Sequence, residues 1–232
     1  MNQRSFTPER KQFSTVILGN FNPGMFQPEW FCRQNIISKE DADFARDTNS
    51  PSPLIVTPQF TTFRTSQLAI QIEENRFEVK AEKEPLLTMI DFIMKTFENL
   101  GSYQITAFGF NYIAHYKVDT MEIFHRIGDK LAPKTYWESL LEDEIRGVQR
   151  KSGLSLLQMK KMKKDSEDYI LFTLQPSPIF HPGFMLGCND HNVIPVNDQS
   201  AEYVTEIIST KYINSYDEME KLQISLLEKV NH

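Results

Sequence analysis

Histidine, cysteine and carboxylate meet at one place in this 232-residue chain, the segment His181-Pro-Gly-Phe-Met-Leu-Gly-Cys188-Asn-Asp190-His191. Cys, Asp and His are zinc-ligating types, and a Cys with a His close by is the pair from which a thiolate nucleophile and its base are built. A zinc site would normally add a second ligand pair at C-x2-C or H-x3-H spacing, and a hydrolase would add a glycine-rich oxyanion turn. Neither is present, so a buried thiol beside a turn histidine is the plainer reading of Cys188. His115 lies on the polar face of a strand with Asn111 and Lys117, where a lone histidine more often makes a structural hydrogen bond than acts as a base. His125 sits beside Arg126 on a short helix and reads as solvated. The chain contains no P-loop, GxGxxG, GxSxG or HExxH pattern. Acidic runs such as Glu73-Glu74 and Glu142-Asp143-Glu144 fall at turns and helix ends, where carboxylates are solvated caps. No catalytic residue, metal ligand or cofactor is assigned from the sequence, and the pattern points away from an enzyme.

Two features point to binding instead. Seven cations, Arg146, Arg150, Lys151, Lys160, Lys161, Lys163 and Lys164, fall between residues 145 and 164 with no carboxylate among them. With these set aside, the net charge of −6 becomes −13 for the remainder, so a basic hairpin on an acidic body is expected. Such a hairpin can contact a phosphate backbone or an acidic patch. Lysines guarding an exposed edge strand give the same pattern. The second feature is aromatic: 17 Phe and 8 Tyr stand against 2 Trp. Phe108, Phe110, Tyr112 and Tyr116 share one strand face and read as core beneath a helix, although such a row can also stack bases. Phe21, Phe26 and Trp30, and again Phe180 and Phe184, sit in loops punctuated by proline and glycine. Aromatics left uncovered on rigid loops make good interface anchors.

The elements that position these residues follow from periodicity. Ser14–Gly19 is a short apolar strand, and Pro28–Ile36 a short helix after a breaker-rich loop. Lys39–Pro53 reads as a polar connection. Leu68, Ile70 and Ile72, then Phe77, Val79 and Ala81, alternate about Glu74-Asn75 and predict a hairpin with one buried side. Leu86, Ile90, Ile93, Phe97 and Leu100 form a helical stripe. Tyr103–Val118 alternates as a long strand. Asp119 with Glu122, Thr135 with Glu138 and Ser215 with Glu218 are capping boxes that open helices. Strands are expected near 145–151, 155–162, 168–174 and 193–196, with a helix from Ser200 to Ile208 and a last one through Val230. The rhythm lacks β-α-β crossovers. It predicts an α+β fold, a mainly antiparallel sheet with helices on one face, as a single domain over 1–232 or two interlocked halves, 1–132 and 133–232.

The run from Phe63-Arg64 through Ile70-Gln71-Ile72 to Asn75-Arg76-Phe77, followed by Phe108-Gly-Phe-Asn-Tyr-Ile113, is similar to a sporadically distributed family of uncharacterised prokaryotic proteins. Their pattern reads FRLS…IQ(L/V)…DRF, a helix, then a strand like GLRYIN. The resemblance covers about residues 60–130. Asn75 stands where the pattern is acidic, and Phe110-Asn111 where it has Leu-Arg. It implies an α+β sheet protein without implying an activity.

Composition bounds the rest. With 40% hydrophobic and 24% charged residues the chain is neither disordered nor low in complexity. Two distant cysteines, Cys32 and Cys188, form no disulfide framework and suggest a reducing compartment. No apolar run is long enough to span a bilayer, and Met1–Gln12 has no signal-peptide core. The expectation is a cytoplasmic, non-catalytic protein-interaction module that binds a protein partner or itself through the aromatic loops. The alternatives are a protein contacting a polyanion or nucleic acid through the basic 145–164 hairpin, and a hydrolase or metal site at Cys188–His191.

Overall fold

The structure, a computed structural model, describes residues 6–47, 52–100, 104–141 and 153–231. Nine strands form one sheet: β1 (Arg10–Gly19), β2 (Ile55–Val56), β3 (Phe60–Arg64), β4 (Leu68–Glu73), β5 (Arg76–Ala81), β6 (Ile105–Lys117), β7 (Leu157–Met162), β8 (Tyr169–Pro176) and β9 (Gly183–Val193). Their spatial order is β2-β3-β4-β5-β1-β6-β9-β8-β7, and every neighbouring pair is antiparallel. The fold is therefore α+β with a mainly antiparallel sheet, and strands from both sides of residue 132 pair in it through β6 and β9.

Side chains alternate across a strand, so the register assigns each residue to one of two faces. One face carries Thr15 and Ile17 of β1, Phe77 and Val79 of β5, Phe108, Phe110 and Tyr112 of β6, and Leu186 and Cys188 of β9, all buried. Onto this face pack α1 (Pro28–Arg33), α2 (Lys39–Ala45), α3 (Leu87–Glu98), α4 (Met121–Leu131) and α6 (Ala201–Asn231). Phe31 meets Phe63 and Phe92, Phe77 meets Phe97, and Tyr216 of α6 meets both Phe13 and Phe110. These edge-on and tilted ring contacts account for much of the phenylalanine excess: it fills the seam between sheet and helices. The short α5 (Glu138–Leu141) ends the described stretch.

Four local expectations need correction. Lys39–Ala45 is a helix, because Ser38 caps it: its Oγ accepts from the Asp41 amide at 3.0 Å. The cap of α4 is Thr120, accepting from the Ile123 amide, and not Asp119. The predicted helices ending at Ile208 and opening at Ser215 are one 31-residue helix, α6. Ser215 lies inside it, bonded to Asp190 rather than capping. Gly183–Asn192, expected within a breaker-rich loop, and Val193, expected to open a strand over 193–196, together form the eleven-residue strand β9, between β6 and β8. Gly183 marks tight packing. A Cβ at Gly183 would lie 2.7 Å from the Tyr116 carbonyl oxygen.

Candidate functional site on the open face of the sheet

The second face of the sheet carries, by register, Gln12, Ser14, Val16 and Leu18 of β1, Arg76, Glu78 and Lys80 of β5, Gly109, Asn111 and Ile113 of β6, Asn189 and His191 of β9, and Tyr169 of β8. Among the described residues, the helices that pack on the sheet lie on the other side, and this face holds an open basin of about 690 Å³. Arg10, Lys11, Arg64, Arg76 and Lys80 line it together with Glu78 and Glu82, so cations outnumber carboxylates.

The carboxylates are engaged. Glu78 is buried, with Oε2 2.9 Å from Arg76 Nη1 and 3.5 Å from Lys80 Nζ. Glu82 receives Arg64 Nη2 at 2.7 Å. One acid bracketed by two cations leaves a positive remainder, and β5 holds those cations in line because residues 76, 78 and 80 share a face.

Toward the β7 side the floor becomes aromatic. His191 and Tyr169 are cross-strand partners with rings stacked, centroids 4.6 Å apart and planes 24° from parallel. Lys160 of β7 places Nζ 3.9 Å from the Tyr169 ring centroid, a cation–π contact. Asn189 Nδ2 donates to Asn111 Oδ1 at 2.6 Å across β9 and β6. Burial holds the His191 imidazole below its ordinary pKa; the Asp168 carboxylate works against that effect and Lys160 adds to it. Burial therefore favours the neutral ring. His115, also on this face, is lowered by burial and then by Arg10, and its Nδ1 lies 3.1 Å from Ser177 Oγ.

The structure redistributes the candidates. Phe21, Phe26 and Phe184 are core residues, and Trp30 and Phe180 are half-buried. The loop bearing Phe21 and Phe26 is tied down, with Thr61 Oγ1 donating to the Pro23 carbonyl at 2.7 Å and Phe26 packed on Trp30, Phe31 and Phe77. Phe21, Phe26 and Phe184 are therefore not a free surface, which corrects the expectation of loop anchors at those three. The basic hairpin is also not a single patch. Lys160 belongs to the open face, whereas Lys161 points to the opposite side, 3.9 Å from Glu218. Lys163 is bound to the buried Asp190 at 2.5 Å, and Lys164 projects into solvent near Asp165. Arg146 and Arg150 lie outside the described residues, as does Lys151.

Cys188 and His191 are separated by strand alternation. Cys188 faces the helices, buried, with Gln223 Nε2 3.6 Å from its sulfur; burial pushes its thiol up to about 11. His191 faces the basin, so the two do not form a nucleophile and base. Among the described residues no group of three His, Cys, Asp or Glu could hold a metal ion. Sequence reasoning missed Tyr169, Arg10, Arg76 and Lys80 as parts of one surface. Only the strand register brings them together, and the glycines of β9 hid the strand that links them.

No family model and no curated protein matches the chain, so the resemblance over residues 60–130 rests on the sequence pattern alone.

Proposed function

We propose that the chain is a binding module that takes a polyanion on the open face of its sheet. The observation that carries this reading is the basin itself: five cations line it, of which Lys11 is held by Glu220 of α6, and both of its carboxylates are already paired with basin cations. Lys160 extends the charge toward β7, so the basic segment contributes through one residue on this face. A wide groove with cations in rows tracks a phosphate backbone, and fixed cations release condensed counterions on binding. The net charge of −6 does not oppose this. α6 alone carries six carboxylates against three lysines, and it lies on the far side of the sheet. Both cysteines are free, which fits a reducing cytoplasm, and among the described residues no helix is long and apolar enough to cross a membrane.

The test is a fluorescence titration with a short single-stranded oligonucleotide at several salt concentrations. Arg10, Lys80 and Lys160 changed together to Gln should weaken binding and reduce the slope of log K against log salt by about 2, at about 0.7 per lost contact. Arg76 is left in place because it holds Glu78. The same neutralisation of Lys211, Lys221 and Lys229 on α6 should change little. Binding that ignores salt, or falls equally in both triple variants, would end the reading.

A second reading is favoured by one observation: β7 closes the sheet among the described residues, and Leu156, Met159 and Met162 on and beside it are exposed. An edge strand of this kind can add a strand from a protein partner or a second copy. Size-exclusion light scattering across a concentration series checks it, with Met159→Lys expected to abolish any dimer seen.

A further inference from the structure

Residues two apart on a strand share a face, so β8 turns Phe172 and Leu174 to the helical side of the sheet, beside their partners Met159 of β7 and Leu186 of β9. α6 packs on β6 and β9, and its outer flank faces β8 and β7 without closing on them. The space left between flank and sheet is a cavity of about 230 Å³. Phe172, Leu174 and Leu186 form its floor, and Leu222 and Leu226, one turn apart on α6, form a wall. Eight of the ten described residues around it are apolar. The two exceptions, Ser225 and Lys229, are also one turn apart on α6, so they stand together. Neither the Ser225 hydroxyl nor the Lys229 ammonium has a hydrogen-bond or ion-pair partner among the described residues. An apolar cavity of roughly 150 Å³ takes up benzene, so at the same volume per carbon this one holds about nine carbons.

We infer that this cavity binds a free medium-chain carboxylate, its tail on Phe172, Leu174 and Leu186 and its head at Ser225 and Lys229. The two ends of the site select the two ends of the ligand. Each methylene moved from water into apolar surroundings tightens binding about fourfold, and the floor and wall supply those surroundings. A carboxylate accepts the Ser225 hydroxyl and pairs with the Lys229 ammonium, a charge-assisted contact that an alcohol head cannot make. The cavity lies on the helical side of the sheet, away from the basin, so this inference does not rest on the polyanion reading. Lys229 also sits in the last turn of α6, where a cation suits the helix dipole whether or not a ligand is bound. The test must therefore read the head group itself and not only stability.

The full chain is titrated calorimetrically with octanoate, decanoate and decanol. Decanoate should bind about tenfold tighter than octanoate, because it buries two more methylenes. Lys229→Gln should weaken decanoate about tenfold and leave decanol unchanged, a selectivity that a purely stabilising lysine would not produce. In methyl-labelled protein, Leu222 and Leu226 should shift as decanoate is added. Ser225→Phe, which puts a ring into the cavity, should abolish uptake of all three, with a circular-dichroism melt confirming that the variant is folded. Decanoate no tighter than octanoate, or equal weakening of decanoate and decanol in Lys229→Gln, overturns the inference. Uptake of none of the three also overturns it, and leaves the cavity to an apolar side chain of a protein partner.

Discussion

Asp190 shows how single side chains lock this fold. Its Oδ1 accepts from Lys163 Nζ at 2.5 Å and Asn192 Nδ2 at 3.2 Å, and its Oδ2 accepts the Ser215 hydroxyl at 2.6 Å. A buried carboxylate is tolerated only when its lone pairs are taken, and here the partners come from the β7–β8 turn, β9 and α6. Asp190→Ala leaves the Ser215 hydroxyl buried without its acceptor and should cost about 3 kcal/mol. A urea midpoint that falls at constant slope would verify it. Cys188 supplies a second check: with its thiol pushed to about 11 and its side chain buried, an aromatic disulfide reagent should react with one thiol, Cys32, in the native protein and with two after denaturation. Two rapid thiols under native conditions would contradict the buried placement. The histidines fix the sign of the pH dependence. Burial lowers both His115 and His191 in the folded state, so the unfolded chain binds their protons first. The stability they help to maintain is present above the unfolded value near 6.5 and is lost as pH falls from there through their lower folded values. Urea midpoints measured between pH 7.5 and 5 should therefore fall with pH, and His191→Phe should flatten the decline.

At the scale of elements, periodicity was informative where one face of an element is buried and the other solvated. The β4–β5 hairpin and α3 have that property, and their alternation and stripe were legible from residues 68–81 and 86–100. β9 was not, because it is an inner strand paired on both sides and its Gly183 and Gly187 read as breakers. Neighbours press on Gly183 and leave Gly187 room. At Gly183 an added Cβ would meet the Tyr116 carbonyl oxygen at 2.7 Å and Phe180 Cβ at 2.9 Å. Gly183→Ala should therefore destabilise by about 1–3 kcal/mol, and Gly187→Ala, with no contact closer than 3.8 Å, by much less. Thermal melts of the two variants make the comparison. α6 hid its continuity for a related reason: the local signal at Ser215 and Glu218 is that of a cap, and only the tertiary partner Asp190 shows that the serine is internal.

Seen whole, the molecule is two layers with different surfaces. The helical layer buries the aromatic seam and turns acidic α6 outward. The sheet's other face is open, with paired carboxylates and cations in a basin, so the net charge of −6 describes neither side. A linear charge run pointed to residues 145–164, yet strand alternation sends Lys160 and Lys161 to opposite faces, and the cations of the basin come from β1, β3 and β5. That assembly depends on long-range register, which no local pattern encodes. The proposed ligand binds on this face. Methyl-labelled NMR during titration with a single-stranded oligonucleotide tests it most directly. Val16, Leu18, Ile113 and Leu171, all on the open face by register, should shift in proportion to saturation, while Leu222 and Leu226 of α6 stay fixed. Shifts confined to the α6 methyls, or an unchanged spectrum at saturating oligonucleotide, would contradict it.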